Sequence, residues 1–440
     1  VAADGQNGAG LVPAEAGLVA AIAPVLAAAP TGRVGVAVSG GGDSTALLLL
    51  AHAWARAEGR LVEAVTVDHG LREESRAEAE AVARRAAALG VRHALLAWDA
   101  GDGRGNLQAR ARAARRRLIA DWARGRGIAA VALGHTLDDQ AETVLQRLAR
   151  GSGVDGLAAM APVTEAEGIL WLRPFLGLRR DALRAWLAAE GEAWAEDPGN
   201  ADRRYQRVRA REALAALAPI GLTPERLAAT AARMAGARVA LEADTAALAA
   251  AACVADDGFG ETGFDPAPLG RAPREIALRL MAEVLGWVAG APYRPRLVRL
   301  AAALDAVIAG RVGAGLTLHG CVLRLRGGRV VVRREPARAG PPVPAAPGAL
   351  WDGRWRLEAV PAGARMAVIA AAGEAALGAA AWRETGAARE TLLATPALWQ
   401  LGAVGRPEGL VQAPLIVAGG GWTFARTGTR RPPWVRPSLR

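Results

Sequence analysis

The chain has 440 residues, 52% of them hydrophobic, and a formal net charge of +11, which gives room for two or three domains and suits a polyanionic partner. All 54 basic residues are arginine, whose planar fork binds phosphate in a bidentate manner, although the abundance of alanine and glycine also points to coding bias. Cys253 and Cys321 stand far apart with no CxxC spacing, which argues against a disulfide framework, a zinc ribbon or an iron–sulfur cluster and suits a cytoplasmic location.

An apolar stretch at 18–29 ends in Ala-Ala-Ala-Pro, loosely like a signal cleavage site. No basic residue precedes it, whereas Asp4 and Glu15 do, so a buried helix leading into the first strand is expected. Charges interrupt the other alanine-rich regions, and no membrane partner is expected.

The most informative segment comes next. Residues 34–38 form an apolar run that predicts a buried strand, broken by Ser39, Gly40, Gly41 and Gly42, and Asp43-Ser44 opens a helix over 43–57. A strand feeding a glycine turn at a helix start makes an anion cradle, because bare N–H groups converge and the helix dipole favours negative charge. A plain glycine-rich turn has the same outline, but Ser-Gly-Gly-x-Asp-Ser is far more specific. The absence of Gly-Lys-Ser/Thr excludes a Walker loop, and the glycines lack dinucleotide spacing.

Further strands are expected at 61–67, 91–97, 129–134 and 169–175, with helices near 74–89, 107–125, 138–149 and 179–190. This alternation predicts an α/β fold with a doubly wound, parallel sheet, in which ligands sit beyond the carboxyl ends of the strands. The chemically suggestive residues fall at those ends: the 39–43 turn, Asp68-His69-Gly70 and Gly134-His135.

Several polar segments accompany them. The helix after Gly105-Asn106 carries Arg112, Arg115 and Arg116 on one face, a basic stripe or a solvated face. His135-Thr-Leu-Asp138-Asp139-Gln-Ala-Glu142-Thr143 opens the helix after the fourth strand. Acidic residues there would cap a helix, but carboxylates facing a phosphate cradle also call for a cation, either magnesium or a substrate ammonium. Arg150-Gly-Ser-Gly153 closes that helix in an anion-friendly loop or a simple glycine cap. Residues 196–211 combine Glu196, Asn200, Asp202, Tyr205, Arg207 and Arg211 in a polar loop entering a basic helix, which favours a substrate-binding segment.

Beyond this, Thr223-Pro224 starts a long helix to about 254. Helices are expected at 273–288 and 294–310, and a hairpin at 315–335 turning at Gly327-Gly328. The expected domains are 1–218 (catalytic, nucleotide-binding), 219–340 (helical, ending in the hairpin), a linker at 341–347, and a small β-rich or mixed domain at 348–440.

The turn at 39–44 resembles the PP-loop of ATP pyrophosphatases. The order and spacing of that loop, Val-Asp68-His69-Gly-Leu-Arg, the Gly-Asn-Leu…Ala-Arg helix, His-Thr-Leu-Asp-Asp-Gln-Ala-Glu-Thr with its Arg-Gly-Ser-Gly tail, and the 196–211 segment are similar to the tRNA(Ile)-lysidine synthetase family over about 33–211. The resemblance implies a Rossmann-like catalytic domain that uses ATP to adenylate the C2 oxygen of the wobble cytidine in CAU-anticodon isoleucine tRNA. Free lysine then displaces AMP, giving lysidine. It implies that Ser39, Gly40, Gly41, Gly42, Asp43, Ser44, Asp68, His69 and His135 contact ATP and that Asp43 and Asp138 hold magnesium. Asp43, Asp138 and Asp139 would be catalytic, with Asp138 the candidate base for the lysine. Arg112, Arg115, Glu142, Arg150, Asn200, Asp202, Tyr205, Arg207 and Arg211 would face lysine or tRNA. A monomer and a homodimer are both open. Gly199, Val208 and Arg116 depart from the family pattern, which bears on the tRNA side rather than the nucleotide chemistry. A PP-loop tRNA thiolase fits less well because neither cysteine lies among the motifs. A non-catalytic RNA-binding protein would have no reason to keep both loop and acidic pair.

Overall fold

A computed structural model describes residues 14–30, 32–68, 74–98, 107–196, 204, 206–291, 293–360, 367–377, 380–401, 407–413 and 423–426, and the chain divides into two units, residues 1–238 and 239–440.

The first unit is built on strands β1 (Arg33–Ala37), β2 (Leu61–Asp68), β3 (Arg92–Ala97), β4 (Ala130–Ala132), β5 (Val163–Ala166) and β6 (Ile169–Leu172), in the order β3-β2-β1-β4-β6-β5. Every neighbouring pair is parallel except β5–β6. The expected doubly wound sheet is therefore present. The antiparallel edge strand β5 was not expected, because the turn into β6 uses Glu167 at φ 53 ahead of Gly168 at φ 75. A glutamate in the left-handed region carries no turn signal in sequence.

Among the described residues, nine helices accompany this sheet: α1 (Glu15–Leu26), α2 (Gly42–Ala57), α3 (Glu74–Ala88), α4 (Leu107–Gly125), α5 (Leu137–Leu148), α6 (Val154–Leu157), α7 (Arg180–Ala189), α8 (Gln206–Leu217) and α9 (Pro224–Ala251), the last reaching past the unit boundary. Leu18, Ile22 and Leu26 recur one helical turn apart and bury α1, as the sequence predicts, against a core shared with Leu47, Leu50 and Trp54 of α2 and Leu183 and Leu187 of α7. The opposite face of the sheet is covered by Ile119, Ala120 and Ala123 of α4, packed with Val131 and Trp171. Each buried leucine or isoleucine contributes about 1.5–3 kcal/mol, so both faces resist opening.

This topology decides where a ligand can sit. β1 pairs with β2 on one side and β4 on the other, so chain connections leave β1 and β4 in opposite directions. The crevice beyond their carboxyl ends is the topological switch point of the sheet. The glycine turn follows β1 and His135 follows β4, so the two most informative motifs flank one crevice. Gly134 permits that closeness: a Cβ there would stand 3.1 Å from the Asp43 carbonyl oxygen.

In the second unit, the strands at 255–256, 261–264, 316–318, 321–326 and 329–334 form a five-stranded antiparallel sheet. Leu323, Val330 and Val332 share a core with Leu280, Leu285 and Val288 of α11 (Arg274–Ala289), which follows the short α10 (Ala267–Arg271) and precedes α12 (Leu297–Ile308). The expected hairpin turns at Gly327 and Gly328, whose φ values of 54 and 76 suit its tight turn. Farther along, antiparallel pairings build a four-stranded and a three-stranded sheet, with Trp351, Trp355 and Leu357 buried. Among the described residues, no helix is long and apolar enough to cross a membrane.

Candidate active site

The cradle is assembled by the backbone. α2 starts after Gly41 with no side-chain cap, and Gly40 has φ 90, a conformation that residues bearing a Cβ resist. Ser44 Oγ donates to the Gly41 carbonyl at 2.9 Å and accepts from the Ser39 N–H at 3.1 Å, while the two serine hydroxyls lie 3.2 Å apart. The Gly40 carbonyl accepts from the Ala195 N–H at 3.0 Å, which pins the loop to the segment after α7. The result is a rigid turn at a helix N-terminus, suited to an anion.

Facing it is a cluster of carboxylates around one arginine. Arg180, the first residue of α7, donates from Nε to Asp43 Oδ2 at 2.9 Å and from Nη2 to Asp139 Oδ1 at 2.9 Å, and its Nη1 lies 3.7 Å from Glu142 Oε1. Asp139 Oδ2 accepts from the Thr136 N–H at 2.7 Å and the Thr136 hydroxyl at 2.9 Å, a capping box that fixes the start of α5. Glu142 also pairs with Arg211, because α8 packs on α5 through Ala141, Val144 and Leu214. Asp138 is held separately: its Oδ1 accepts from Arg179 Nε at 3.1 Å and its Oδ2 from the Arg180 backbone N–H at 2.8 Å.

The electrostatics distinguish these acids. Burial raises the Asp43 pKa against the opposing pull of Arg180, and its Oδ1 is buried without a hydrogen-bond partner. Burial likewise raises Glu142, with Arg211 opposing. Asp139 is pushed upward by burial, but Arg180 and the Thr136 N–H outweigh that and hold it below the usual carboxylate range. Across the crevice, burial lowers His135 to about 4; Asp139 opposes the shift, and Arg173, Arg112 and Arg115 reinforce it. Its imidazole is therefore neutral at physiological pH, and its Nδ1 is buried without a partner. Arg173, lowered to about 10 mainly by burial, donates to the Ala161 carbonyl and the Thr164 hydroxyl at 3.0 and 3.1 Å.

The structure thus brings Ser39, Gly40, Gly41, Gly42, Asp43, Ser44, His135, Asp139, Glu142 and Arg211 around one crevice, with Asp138 behind Arg180. Arg116 leaves the basic stripe: it donates to Glu167 at 3.0 Å and stacks on Trp171 at 5.1 Å. Arg150 donates to Gln206, and Arg207 is exposed near the start of α8. Asp68 ends β2, where its carbonyl accepts from Trp98. His69, Asn200, Asp202 and Tyr205 lie outside the described residues. The residues missed in the sequence were Arg179 and Arg180, adjacent arginines at a helix start, whose meaning depends on partners 41 to 137 positions away.

A family profile described as the PP-loop domain matches residues 16–218, the part that contains this crevice. The whole-length comparison decides the family: a tRNA(Ile)-lysidine synthase of Ruegeria pomeroyi is 47% identical over 403 residues, covering 90% of this chain and 91% of the relative. The chain belongs to the tRNA(Ile)-lysidine synthase family. Two further family members support this, one from Methylobacterium sp. at 45% identity (70% of this chain, 90% of the relative) and one from Mesorhizobium japonicum at 38% (87% and 86%).

Proposed function

We propose that this chain ligates lysine to C2 of the wobble cytidine of CAU-anticodon isoleucine tRNA, with ATP consumed to AMP and pyrophosphate. The observation carrying this reading is the serine–glycine cradle at the switch point, with Asp43 at its edge tied through Arg180 to Asp139 and Glu142, in a chain 47% identical to a lysidine synthase. In the first half-reaction the cytidine O2 attacks the α-phosphorus and pyrophosphate leaves. In the second, the lysine Nε attacks C2, AMP departs with the former O2, and the amine loses a proton. The activated cytidine supplies the leaving group that a carbonyl lacks.

Each group has a role consistent with its position. Ser39, Ser44 and the cradle amides would hold the outer phosphates, and Asp68, His69 and the neutral His135 would border the nucleoside. The unpartnered Oδ1 of Asp43 suits a hard cation, so the residues fit magnesium, with Asp43 as a ligand and Asp138 or Asp139 as a second. When bound, magnesium would offset phosphate charge. Lysine arrives as an ammonium, and a carboxylate must orient it and accept its proton. The motif makes Asp138 a candidate; the position of Asp139 and Glu142 across from the cradle favours them. Arg112, Arg115, Arg150, Asn200, Asp202, Tyr205, Arg207 and Arg211 would meet lysine or tRNA phosphate and base, and the C-terminal residues 348–440 would add remote tRNA contacts. The setting is the cytoplasm, and a monomer or a homodimer would serve.

The test is incubation with ATP, radiolabelled lysine and the CAU-anticodon isoleucine tRNA. The expected result is label in tRNA with matching AMP and pyrophosphate. Release of ADP and inorganic phosphate, or label in a different tRNA, would overturn the assignment.

A further inference from the structure

The guanidinium of Arg180 occupies the ground between the nucleotide loop and the acidic motif. It bridges Asp43 at the start of α2 to Asp139 and Glu142 on α5, while its backbone N–H is fixed by Asp138. Its side chain is only 16% exposed, and those of Asp43 and Asp139 are 23% and 21% exposed, so this is a largely desolvated site. Carboxylates gathered this closely without a cation would repel one another. Yet the arrangement is incomplete, because Asp43 Oδ1 remains without a partner.

We propose that Arg180 is a resident counter-cation: a positioning residue that holds the acidic cluster together before substrates bind and yields Asp43 to the divalent cation that enters with the nucleotide. This inference rests on Asp43 being a metal ligand, as proposed above. A guanidinium spans several carboxylates because its N–H groups form a fixed planar fork. A lysine in its place would reach fewer of them. Arg180 compensates Asp43 before the cation binds and the cation does so afterwards, while Arg211 stays on Glu142, so Asp43 is left uncompensated in neither state. It also makes cation entry competitive, since the metal must displace an existing ion pair.

The experiment uses the full chain, stripped with chelator, and reads thermal unfolding against magnesium alone, at constant ionic strength maintained with sodium chloride. In the native protein magnesium should move Tm little, because Arg180 already fills the role. Arg180→Met should unfold earlier without metal and recover by about 2–4 °C on magnesium addition, a gain expected of a ligand binding only the folded state. Half-saturating magnesium in ATP–pyrophosphate exchange should fall several-fold in the same variant while the maximal rate also falls. Arg180→Lys, which keeps the charge, should respond between the two, and it carries the test if the methionine variant does not fold. An equal Tm loss with and without magnesium, together with unchanged magnesium dependence of exchange, would reduce Arg180 to a structural ion pair and overturn the proposal. The metal-only measurement needs no tRNA, so its failure is distinguishable from failure of the lysidine assignment, which the labelled-lysine assay reads.

Discussion

Two clusters of arginine and aspartate in this molecule use the same chemistry to opposite ends. In the second unit, Asp352 is 3% exposed and fully engaged. Arg334 donates from Nη2 to its Oδ1 at 2.9 Å and from Nε to its Oδ2 at 3.1 Å, and Arg354 reaches Oδ2 from Nε at 2.8 Å. Arg354 then uses Nη2 on the Ala394 carbonyl at 2.9 Å. Two arginines serve one carboxylate, and the aspartate keeps no unmatched oxygen. In the first unit, Arg180 reaches Asp43, Asp139 and Glu142, Glu142 pairs also with Arg211, and an Asp43 oxygen lacks a partner. A buried ion network that closes on itself holds a fold together. One with an excess of acid and an open lone pair is arranged to receive something.

The sharpest way to break this contrast is to remove the open acid. Asp43→Ala should lower ATP–pyrophosphate exchange by about 100- to 1,000-fold, the scale of losing a group that stabilises charge at the reacting phosphate, with tRNA binding nearly unchanged in a filter assay. Retained exchange would remove Asp43 from the chemistry. Next, Asp139→Asn should slow lysine transfer by about 100-fold or more on general-base grounds, measured from pre-adenylated tRNA. Asp138→Asn in parallel decides which carboxylate faces the ammonium: if it alone is impaired, the base is Asp138. The closed cluster should respond in stability rather than rate. Asp352→Ala leaves two arginines without their acid and should cost about 3–5 kcal/mol in the C-terminal unfolding transition, at unchanged exchange per folded molecule.

The smallest effect concerns pH. His135 has a folded pKa of about 4 against an ordinary 6.5, so the unfolded chain takes up a proton that the folded one refuses. The increment of stability tied to this neutral imidazole is complete above pH 6.5 and is lost as pH falls from 6.5 toward 4. His135→Asn should therefore lose stability less steeply than the native protein over that window, as read by denaturant midpoints. Parallel slopes would mean that the imidazole is not held neutral by its surroundings.

Much of the first unit was legible because its signals are local. The apolar run at 34–38, the glycines after it and the capping box at Thr136 and Asp139 each specify their structure within a few residues. What escaped was relational. The β5–β6 turn carries Glu167 where a glycine or asparagine would have announced it, and with that hairpin went the reason Arg116 stacks on Trp171 rather than joining the basic stripe. Arg180 was invisible for the same reason. A pair of arginines beginning a helix looks like solvated surface until the sheet topology brings Asp43 and Asp139 to it.

The lack of a side chain at position 134 has a consequence for how the two halves of the crevice are gauged. An added methyl would press on the Asp43 carbonyl, so the separation between the strand-one loop and the strand-four motif is set by peptide touching peptide. Backbone contact of that kind cannot be retuned by swapping rotamers. The span of the crevice is therefore inherited from the sheet itself, and any retuning has to come from the side chains that fill the gap rather than from its width.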